Sequence, residues 1–304
     1  MGLAVGQVSI EPRQKTRAKD KTDRPGLPRT DLRADANLVL VPVEVSDRLN
    51  RPINGLEKSN FRLFDEGIEQ TIVSFAMEED PIAIGLVFDT SWSMGEELRE
   101  SRVAAGEFFK TANPGDEFCL VVFDNTPKLV VPLTEDPREI EDQLMFTKPR
   151  GSTALIDAIY LALNQMKKSR KSRKALIVIS DGGENNSRFT PSELQSFVRE
   201  SDVLIYTIGV FGSGEGAAYE RSTLLGQISS ETGGRAFPAS GMPLPYFAQK
   251  IITDLRNRYV LGFSPTDRTR DGRYHRLEVK LVPPRGLPSK LNVHWRVGYY
   301  APLQ

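Results

Sequence analysis

Residues 82–94, which read IAIGLVFDTSWSM, begin as an uninterrupted apolar run and end in side chains that carry oxygen. A run that is apolar on both faces is typical of a parallel strand covered by helices on two sides. In open α/β sheets, ligands bind just beyond the carboxyl ends of such strands. The stretch therefore predicts a buried strand that leads directly into a binding site.

The residues that follow alternate between strand and helix patterns. Further apolar runs lie at 118–123, 175–179 and 203–210, and helical patterns separate them. Two helices have recognisable starts, DPRE at 136–139 and TPSE at 190–193, where we expect capping boxes with proline at the first helical position. These patterns predict an α/β fold with a Rossmann-like, doubly wound, mostly parallel sheet.

Both flanks of this region show instead the period of two that is typical of strands. The strand patterns lie at 39–45, 60–64, 70–75, 259–264, 274–282 and 291–299. Three short strands at either end scarcely form a stable sheet alone, and chain termini commonly meet in space. We therefore expect a smaller β-rich domain that both chain ends build together.

The expected domain organisation has four segments. Residues 1–35 form a disordered basic tail, because eight basic and five acidic side chains with few large apolar ones cannot offset the entropy of ordering. Residues 36–79 form the N-terminal part of the β-rich domain, 80–258 the α/β domain and 259–304 the C-terminal part. We interpret the tail as a solvated linker rather than a nucleic-acid-binding arm.

Composition narrows the function classes. The 304 residues include 40 basic and 40 acidic side chains, so the formal net charge is zero and gives no support for nucleic acid or anionic membranes as partners. No stretch approaches the roughly 20 apolar residues that a transmembrane segment requires. The single cysteine, Cys119, excludes a disulfide framework and predicts a buried thiol. The first ten residues show no signal-peptide pattern, which leaves the compartment open.

Oxygen-bearing side chains gather at three points of the predicted α/β domain. Asp89, Ser91 and Ser93 follow the first strand, Thr153 opens a helix, and Asp181 ends a later strand. Hard divalent cations bind oxygen ligands, and Mg²⁺ takes six of them at ~2.1 Å. Two carboxylates and three hydroxyls supply that chemistry and leave room for water and one outside ligand.

The pattern Asp89-x-Ser91-x-Ser93, with Thr153 and Asp181 downstream, resembles the metal-ion-dependent adhesion site of the von Willebrand factor type A family. All five positions match, and the resemblance extends over the whole predicted α/β domain. The β-rich flanks resemble, less specifically, the bacterial "VWFA-related" subfamily, in which a type A domain lies between β-rich ends. The segments that carry this second likeness are 54–61, 64–75 and 296–299.

The resemblance implies a ligand set and a function. Ser91, Ser93 and Thr153 would bind Mg²⁺, or alternatively Mn²⁺ or Ca²⁺, through their hydroxyls, and Asp89 and Asp181 would bind it directly or through water. An Asp or Glu side chain of a partner protein would complete the coordination, so the chain would serve adhesion or protein interaction. The subfamily likeness further suggests an extracytoplasmic location, either secreted or periplasmic.

Trp92 lies between two of the expected metal ligands, on the loop that a partner must approach. An exposed aromatic side chain at this point would be a suitable anchor for a partner protein. The alternative is that Trp92 packs against a neighbouring loop.

Catalysis is not expected. Phosphohydrolases of the haloacid dehalogenase type use Asp-x-Asp beside Mg²⁺, but Ser91 stands where the proton donor would be. The only histidines, His275 and His294, fall in the terminal strand patterns, and the glycine-rich residues 212–216 lack the ending of a P-loop. A metal-dependent phosphohydrolase is thus a remote alternative. The nearer alternative is a structural subunit that assembles through the β-rich domain while the metal only stabilises loops.

Overall fold

A computed structural model of the chain describes residues 38–78, 80–210, 215–239, 242–266, 271–284, 286–287 and 290–302, and the side chains of 215–222 fall outside that description. The tail expected over residues 1–35 and the first part of the glycine-rich stretch 212–216 lie outside the described residues. Residues 37–304 form one compact unit.

Strands and α-helices follow one another along the described residues in an order close to that expected. In chain order they are β1 (Val39–Ser46), β2 (Phe61–Asp65), β3 (Ile68–Gln70), β4 (Ile72–Met77), β5 (Ile82–Asp89), α1 (Leu98–Lys110), β6 (Glu117–Phe123), β7 (Pro127–Thr134), α2 (Pro137–Met145), α3 (Leu155–Met166), β8 (Arg173–Ser180), α4 (Pro191–Glu200), β9 (Leu204–Val210), α5 (Glu215–Thr232), β10 (Ala236–Ala239), α6 (Leu244–Arg256), β11 (Arg258–Phe263), β12 (Tyr274–Leu281), β13 (Asn292–Trp295) and β14 (Gly298–Tyr300).

The central sheet has six strands in the order β10-β9-β8-β5-β6-β7. Every neighbouring pair is parallel except β6 and β7, which are antiparallel. Helices α1, α2 and α6 pack on one face of this sheet, and α3, α4 and α5 pack on the other. All eight residues of β5 are therefore buried, which is why its sequence is apolar without alternation.

Of the two expected capping boxes, the structure contains one and lacks the other. Thr190 and Glu193 form the expected capping box at the start of α4. The box expected at the start of α2 is wrong. Asp136 instead accepts a hydrogen bond from the Arg138 amide over 3.0 Å, and the Glu139 carboxylate accepts one from a hydroxyl in β7. The Pro137 start of α2 is nevertheless as expected.

Strands from both chain ends form two further sheets, in the orders β13-β1-β11-β4 and β14-β12-β2-β3. The two sheets share one apolar core, to which Val43 and Leu261 contribute from the first and Leu63 and Val279 from the second. We call these eight strands the terminal sandwich. The predicted fold class, a mostly parallel α/β sheet with a β-rich part built by both ends, is confirmed, and the four segment boundaries stay a prediction.

The strand expected over 291–299 is wrong as a single element. It is divided into β13, which pairs with β1, and β14, which pairs with β12 in the other sheet. At the end of β13, the Trp295 indole N–H donates to the Leu277 carbonyl of β12 over 3.0 Å. At Gly298 a Cβ atom would collide with the His275 carbonyl oxygen, so the crossing from one sheet to the other requires glycine there.

The central sheet is inserted into the terminal sandwich. The chain leaves the sandwich after β4, enters the central sheet at β5, and returns from α6 directly into β11. Strand β11 lies between β1 and β4 and pairs with both in antiparallel fashion. The strand that re-enters the sandwich therefore joins N-terminal strands that are far from it in sequence.

Buried charged side chains join the sandwich to the central α/β part. Glu44 of β1 and Arg258 of β11 lie opposite each other in the sheet register, and both are fully buried. Arg235, which precedes β10, donates to Asp254 of α6 over 3.0 Å and lies 3.8 Å from Glu44. Arg258 donates to the Tyr206 hydroxyl over 2.5 Å. We call Glu44, Arg235, Asp254 and Arg258 the junction cluster.

Two smaller expectations concern Cys119 and membrane spans. The Cys119 thiol is buried as expected, and burial raises its pKa to about 12. Among the described residues, no helix combines the length and the apolar character that would let it cross a membrane.

Candidate metal centre

Asp89 is the last residue of β5 and lies at the carboxyl end of the central sheet. Its side chain is fully buried. One carboxylate oxygen accepts a hydrogen bond from the Ser91 amide over 2.8 Å, and the other accepts one from the Ser180 hydroxyl over 2.6 Å. Both donors are neutral, so they orient the carboxylate without balancing its charge.

The charge of Asp89 is costly in this position. Burial raises the pKa of Asp89 to about 6, and the negative charge of Asp181 also raises it, against the hydrogen bonds from Ser180 and Ser91. A buried carboxylate with a second negative charge nearby favours the approach of a cation.

Ser91 and Ser93 lie on the loop that follows β5. Residues Trp92–Met94 form a single 3₁₀ turn, which brings the two serine hydroxyls within 3.0 Å of each other. Ser91 is buried and Ser93 is exposed, while the fully buried Met94 fixes the turn to the apolar core. The turn therefore directs two hydroxyls to one point beside Asp89.

Trp92 projects from this turn, and its side chain is 69% exposed. Its backbone amide donates to the Gly151 carbonyl over 3.1 Å, which ties the turn to the loop before α3. The side chain of Trp92 is thus exposed and is not packed beneath a neighbouring loop.

Thr153 and Asp181 approach each other across Gly183. A Cβ atom at Gly183 would lie 2.9 Å from a carboxylate oxygen of Asp181 and 3.5 Å from the Thr153 hydroxyl. The Gly183 amide donates to that same oxygen of Asp181 over 2.8 Å. Thr153 is held by Asn185, whose side-chain oxygen accepts from the Thr153 amide over 3.0 Å. A side chain at position 183 would therefore crowd both Asp181 and Thr153.

The loops around these side chains are fastened to one another. Thr90 donates through both its amide and its hydroxyl to the carbonyl at the end of β6, and its own carbonyl accepts from the Arg150 amide over 2.7 Å. Arg150 also pairs with Asp124 at 2.5 Å. The Asn125 side chain accepts from the Ser152 amide over 2.7 Å. These bonds join three loops to one another: the loop after β5, the loop after β6 and the loop before α3.

Three supporting residues were missed from the sequence. Ser180 orients Asp89, Asn185 holds Thr153, and Glu184 accepts a hydrogen bond from the Ile156 amide at the start of α3 over 2.8 Å. All three stand within four residues of Asp181, at the end of a predicted strand, and polar side chains at such a strand end were the available signal.

The donor set fits a divalent cation. The predicted ligands are two carboxylates and three hydroxyls, all oxygen, and they come from three loops at the same edge of the sheet. Over the part of the chain that the structure describes, no three or more His, Cys, Asp or Glu side chains form a group that could hold a metal. A site here would therefore rely on the hydroxyls as well as on Asp89 and Asp181.

Neither histidine contributes to this site. His275 lies 3.1 Å from Asp65 within the terminal sandwich, and His294 lies beside Glu44 of the junction cluster. Burial, together with the positive charges of Arg235 and Arg258, lowers the pKa of His294 to about 4. Ser91 and Ser93 therefore have no histidine nearby that could act as a general base.

Comparisons with known proteins find similarity in the central part of the chain. Residues 84–184 match the sequence model of a family described as the von Willebrand factor type A domain. An uncharacterized protein of Borreliella burgdorferi is 28% identical over 177 residues, covering 50% of this chain and 52% of that protein. Inter-alpha-trypsin inhibitor heavy chain H4 of Bos taurus is 25% identical over 169 residues, covering 51% of this chain and 18% of that protein.

Among solved structures, the vWF domain of the type V pili tip protein Mfa5 from Porphyromonas gingivalis has a TM-score of 0.47 and 16% identity, covering 56% of this chain and 95% of that one. The matched region spans about half the length of the Borreliella protein and 18% of the bovine one.

Proposed function

We propose that the von Willebrand factor type A domain of this chain binds a partner protein through a divalent cation. Domains of this family are generally metal-dependent protein-interaction modules. In this proposal Asp89, Ser91, Ser93, Thr153 and Asp181 hold Mg²⁺, or Mn²⁺ or Ca²⁺ in its place. An Asp or Glu side chain of the partner occupies the position that the chain leaves open.

The observation that carries the proposal is the state of Asp89. Its carboxylate is fully buried, and its hydrogen-bond donors are a serine hydroxyl and a backbone amide, which are both neutral. Asp181 adds a second negative charge nearby. Buried charge of this kind is costly unless an opposite charge compensates it, and a divalent cation would do so.

The same charges favour an acidic partner. Two aspartates balance the +2 charge of the cation, so an incoming carboxylate meets little net repulsion and gains a direct bond to the ion. Trp92, exposed beside the turn, would supply apolar contact area next to that bond. Recognition rather than catalysis is the proposed activity, since neither histidine lies at the site and Ser91 stands where a phosphohydrolase of the Asp-x-Asp type has its proton donor.

Titration calorimetry tests the cation site. We expect one Mg²⁺ to bind per wild-type chain and Asp181→Asn to weaken that binding by at least about tenfold, because it removes one charged ligand. Asp142→Asn is the matched control, since Asp142 is an exposed aspartate of α2 and should leave binding unchanged. Equal affinities in the wild type and Asp181→Asn would contradict the proposal.

Affinity capture tests the partner. Proteins retained by the immobilised wild type in Mg²⁺, but lost in EDTA and on Asp181→Asn, are the expected partners. Changing the contacting acidic residue of such a partner to its amide should abolish retention. We also infer an extracytoplasmic location, which cell fractionation would check.

The structural alternative makes a different prediction. If the metal only stabilises the loops, complexes will persist in EDTA while the thermal midpoint of the chain falls. If EDTA dissociates the complexes as well as lowering the thermal midpoint, the result supports the cation-mediated contact.

A further inference from the structure

Strand β4 forms one edge of the terminal sandwich. It pairs with β11 on one side, and no described strand pairs with its other side. Its six residues read IVSFAM and contain neither proline nor a charged side chain. An edge of this kind offers a row of backbone N–H and C=O groups on which a further strand can form.

The other sheet edges in the described ranges are short or interrupted. β7 contains two prolines and a lysine, and β10 has four residues, one of them proline. β3 and β14 have three residues each, and β13 has four. Short length, proline and lysine are common means by which proteins prevent strands from adding to an edge. Strand β4 has neither proline nor lysine and is six residues long, and its pairing with β11 is interrupted by a register shift at Val73.

The face of the sheet that includes β4 lines an open cleft, which extends across β11 to β1. This cleft of about 850 Å³ is lined by Ser74 and Ala76 of β4 and by Leu40 of β1. Val73 and Met77 of the same strand are 58% and 38% exposed. Because side chains of a strand alternate between faces, an added strand would place some of them in the cleft and others along the sandwich edge.

Charge defines the kind of strand that fits. The cleft is lined by four acidic side chains, Glu78, Asp80, Glu200 and Asp202, and by two basic ones, Arg173 and Arg296. Glu78 is paired with Arg173 at 3.2 Å, while Asp80 is exposed and lines the cleft. Pairing two copies of β4 edge to edge would bring two such acidic clefts side by side, which disfavours a second copy as the occupant. A strand with basic ends would be attracted instead.

We propose that the open edge of β4 is a strand-addition site for an extended segment of a partner protein. The segment is about six residues long, uncharged and mostly apolar at its centre, with lysine or arginine at its ends. Backbone hydrogen bonds to β4 set the register of the segment, and the acidic excess of the cleft selects its basic ends. This site lies in the terminal sandwich and does not depend on the proposed cation site.

Fluorescence anisotropy with a defined probe tests the proposal on the full chain. The probe is the labelled peptide Lys-Arg-Val-Thr-Val-Ile-Val-Arg-Lys, and the comparison peptide has the same centre with glutamates at both ends. We expect saturable binding of the basic-ended peptide, unchanged by EDTA, and at least about tenfold weaker binding of the acidic-ended one. Equal binding of the two peptides, or no binding of either, overturns the proposal.

Two variants locate the binding. Ala76→Lys places a positive charge on the exposed edge and should weaken binding at least about tenfold, while Asp80→Asn should weaken it several-fold in low salt. Leu49→Lys is the control, because it adds the same charge at an exposed loop residue elsewhere. If Ala76→Lys binds the peptide as tightly as Leu49→Lys does, the proposal is wrong.

Hydrogen exchange gives a readout that a non-specific charge effect would not produce. Backbone amides within Ile72–Met77 should exchange more slowly when the basic-ended peptide is bound, because strand addition gives them hydrogen-bond partners. Unchanged exchange in this segment, or concentration-dependent dimers of the chain without peptide, would overturn the assignment.

Discussion

The candidate metal centre and the junction cluster both contain buried carboxylates, and the two regions treat the charge differently. Asp89 is held by a serine hydroxyl and a backbone amide. Asp254 instead accepts a hydrogen bond from Arg235, and the positive charge of Arg258 also acts on it. The junction therefore contains its own counter-charges, whereas the hydrogen-bond donors to Asp89 supply none.

This difference separates structural charge from binding charge. A buried carboxylate with its own guanidinium partner contributes to how two parts of a fold are joined, and removing one partner is strongly destabilising. A buried carboxylate with only neutral donors is oriented but not compensated, so an outside cation can bind to it. The following variants should affect stability at the junction cluster and cation binding at the candidate metal centre.

The largest expected effect is at the junction. Arg258→Met would leave Glu44 and Asp254 with one guanidinium group between them and should lower the free energy of unfolding by about 3–5 kcal/mol. Urea denaturation measures the change. Arg62→Met is the control, because its partner Glu69 and Arg62 itself are about half exposed, so the loss there should stay within about 1 kcal/mol. If Arg258→Met and Arg62→Met lowered the free energy of unfolding by similar amounts, the buried junction would be no more important for stability than an exposed ion pair.

The next effect concerns the metal centre. Without metal, Asp89→Asn should change the free energy of unfolding by less than about 1 kcal/mol, because it removes an uncompensated buried charge while keeping the side-chain shape. Mg²⁺ at a hundred times its dissociation constant should stabilise the wild type by about 2.7 kcal/mol and Asp89→Asn not at all. Thermal unfolding with and without Mg²⁺ measures this. A variant that still gains stability from Mg²⁺ would remove Asp89 from the ligand set.

A smaller effect should appear as a dependence on pH. Burial, with the negative charge of Glu44, raises the pKa of Asp254 from 3.8 to about 7, although Arg235 and Arg258 oppose the shift. Between about pH 4 and pH 7 the folded chain therefore keeps a proton on Asp254 that the unfolded chain has already released. The resulting stabilisation is present near pH 5 and is lost as the pH rises through 7.

Unfolding curves in EDTA between pH 5 and pH 8 test this dependence. The wild type should lose about 1–2 kcal/mol relative to Asp254→Asn over that range, because the amide cannot titrate. Parallel stability profiles for the two chains would show that Asp254 does not titrate in this window.

The smallest effect on stability is expected for Trp92→Ala. Since the side chain is 69% exposed, its loss should change the free energy of unfolding by less than about 0.5 kcal/mol. Partner retention in Mg²⁺ should nevertheless fall, because Trp92 adjoins the proposed contact. If the Trp92→Ala variant retained the partner fully, the contact with the partner would involve only the cation and its ligands.

Sequence patterns predicted the central sheet and the site loops because both follow from local rules. The strand over 82–89 is apolar on both faces, which parallel sheets require, and the carboxyl ends of parallel strands meet at one edge. That geometry places Asp89, Thr153 and Asp181 in neighbouring loops before any coordinates are known. The binding of a cation by these side chains stays a prediction.

Other features depend on contacts that local patterns do not encode. Residues 291–299 alternate throughout, so nothing in their period marks the change of sheet, which depends on the approach of Gly298 to the His275 carbonyl. The junction cluster joins Glu44 to Arg235 and Arg258, which lie about two hundred residues away in sequence, and such pairings are set by the tertiary fold. The open edge of β4 likewise becomes visible only when the strand order is known.

The insertion of the central sheet between β4 and β11 has a consequence for synthesis on the ribosome. Strands β1 to β4 emerge first, but β11, which pairs with both β1 and β4, follows about 200 residues later, and at 5–20 residues per second this delay is about 10–40 s. During that interval β2 and β3 can pair with each other, but β1 and β4 lack the strand that lies between them. The inserted α/β domain can fold in the meantime, so the nascent chain would require a holding chaperone for its first strands rather than for its centre.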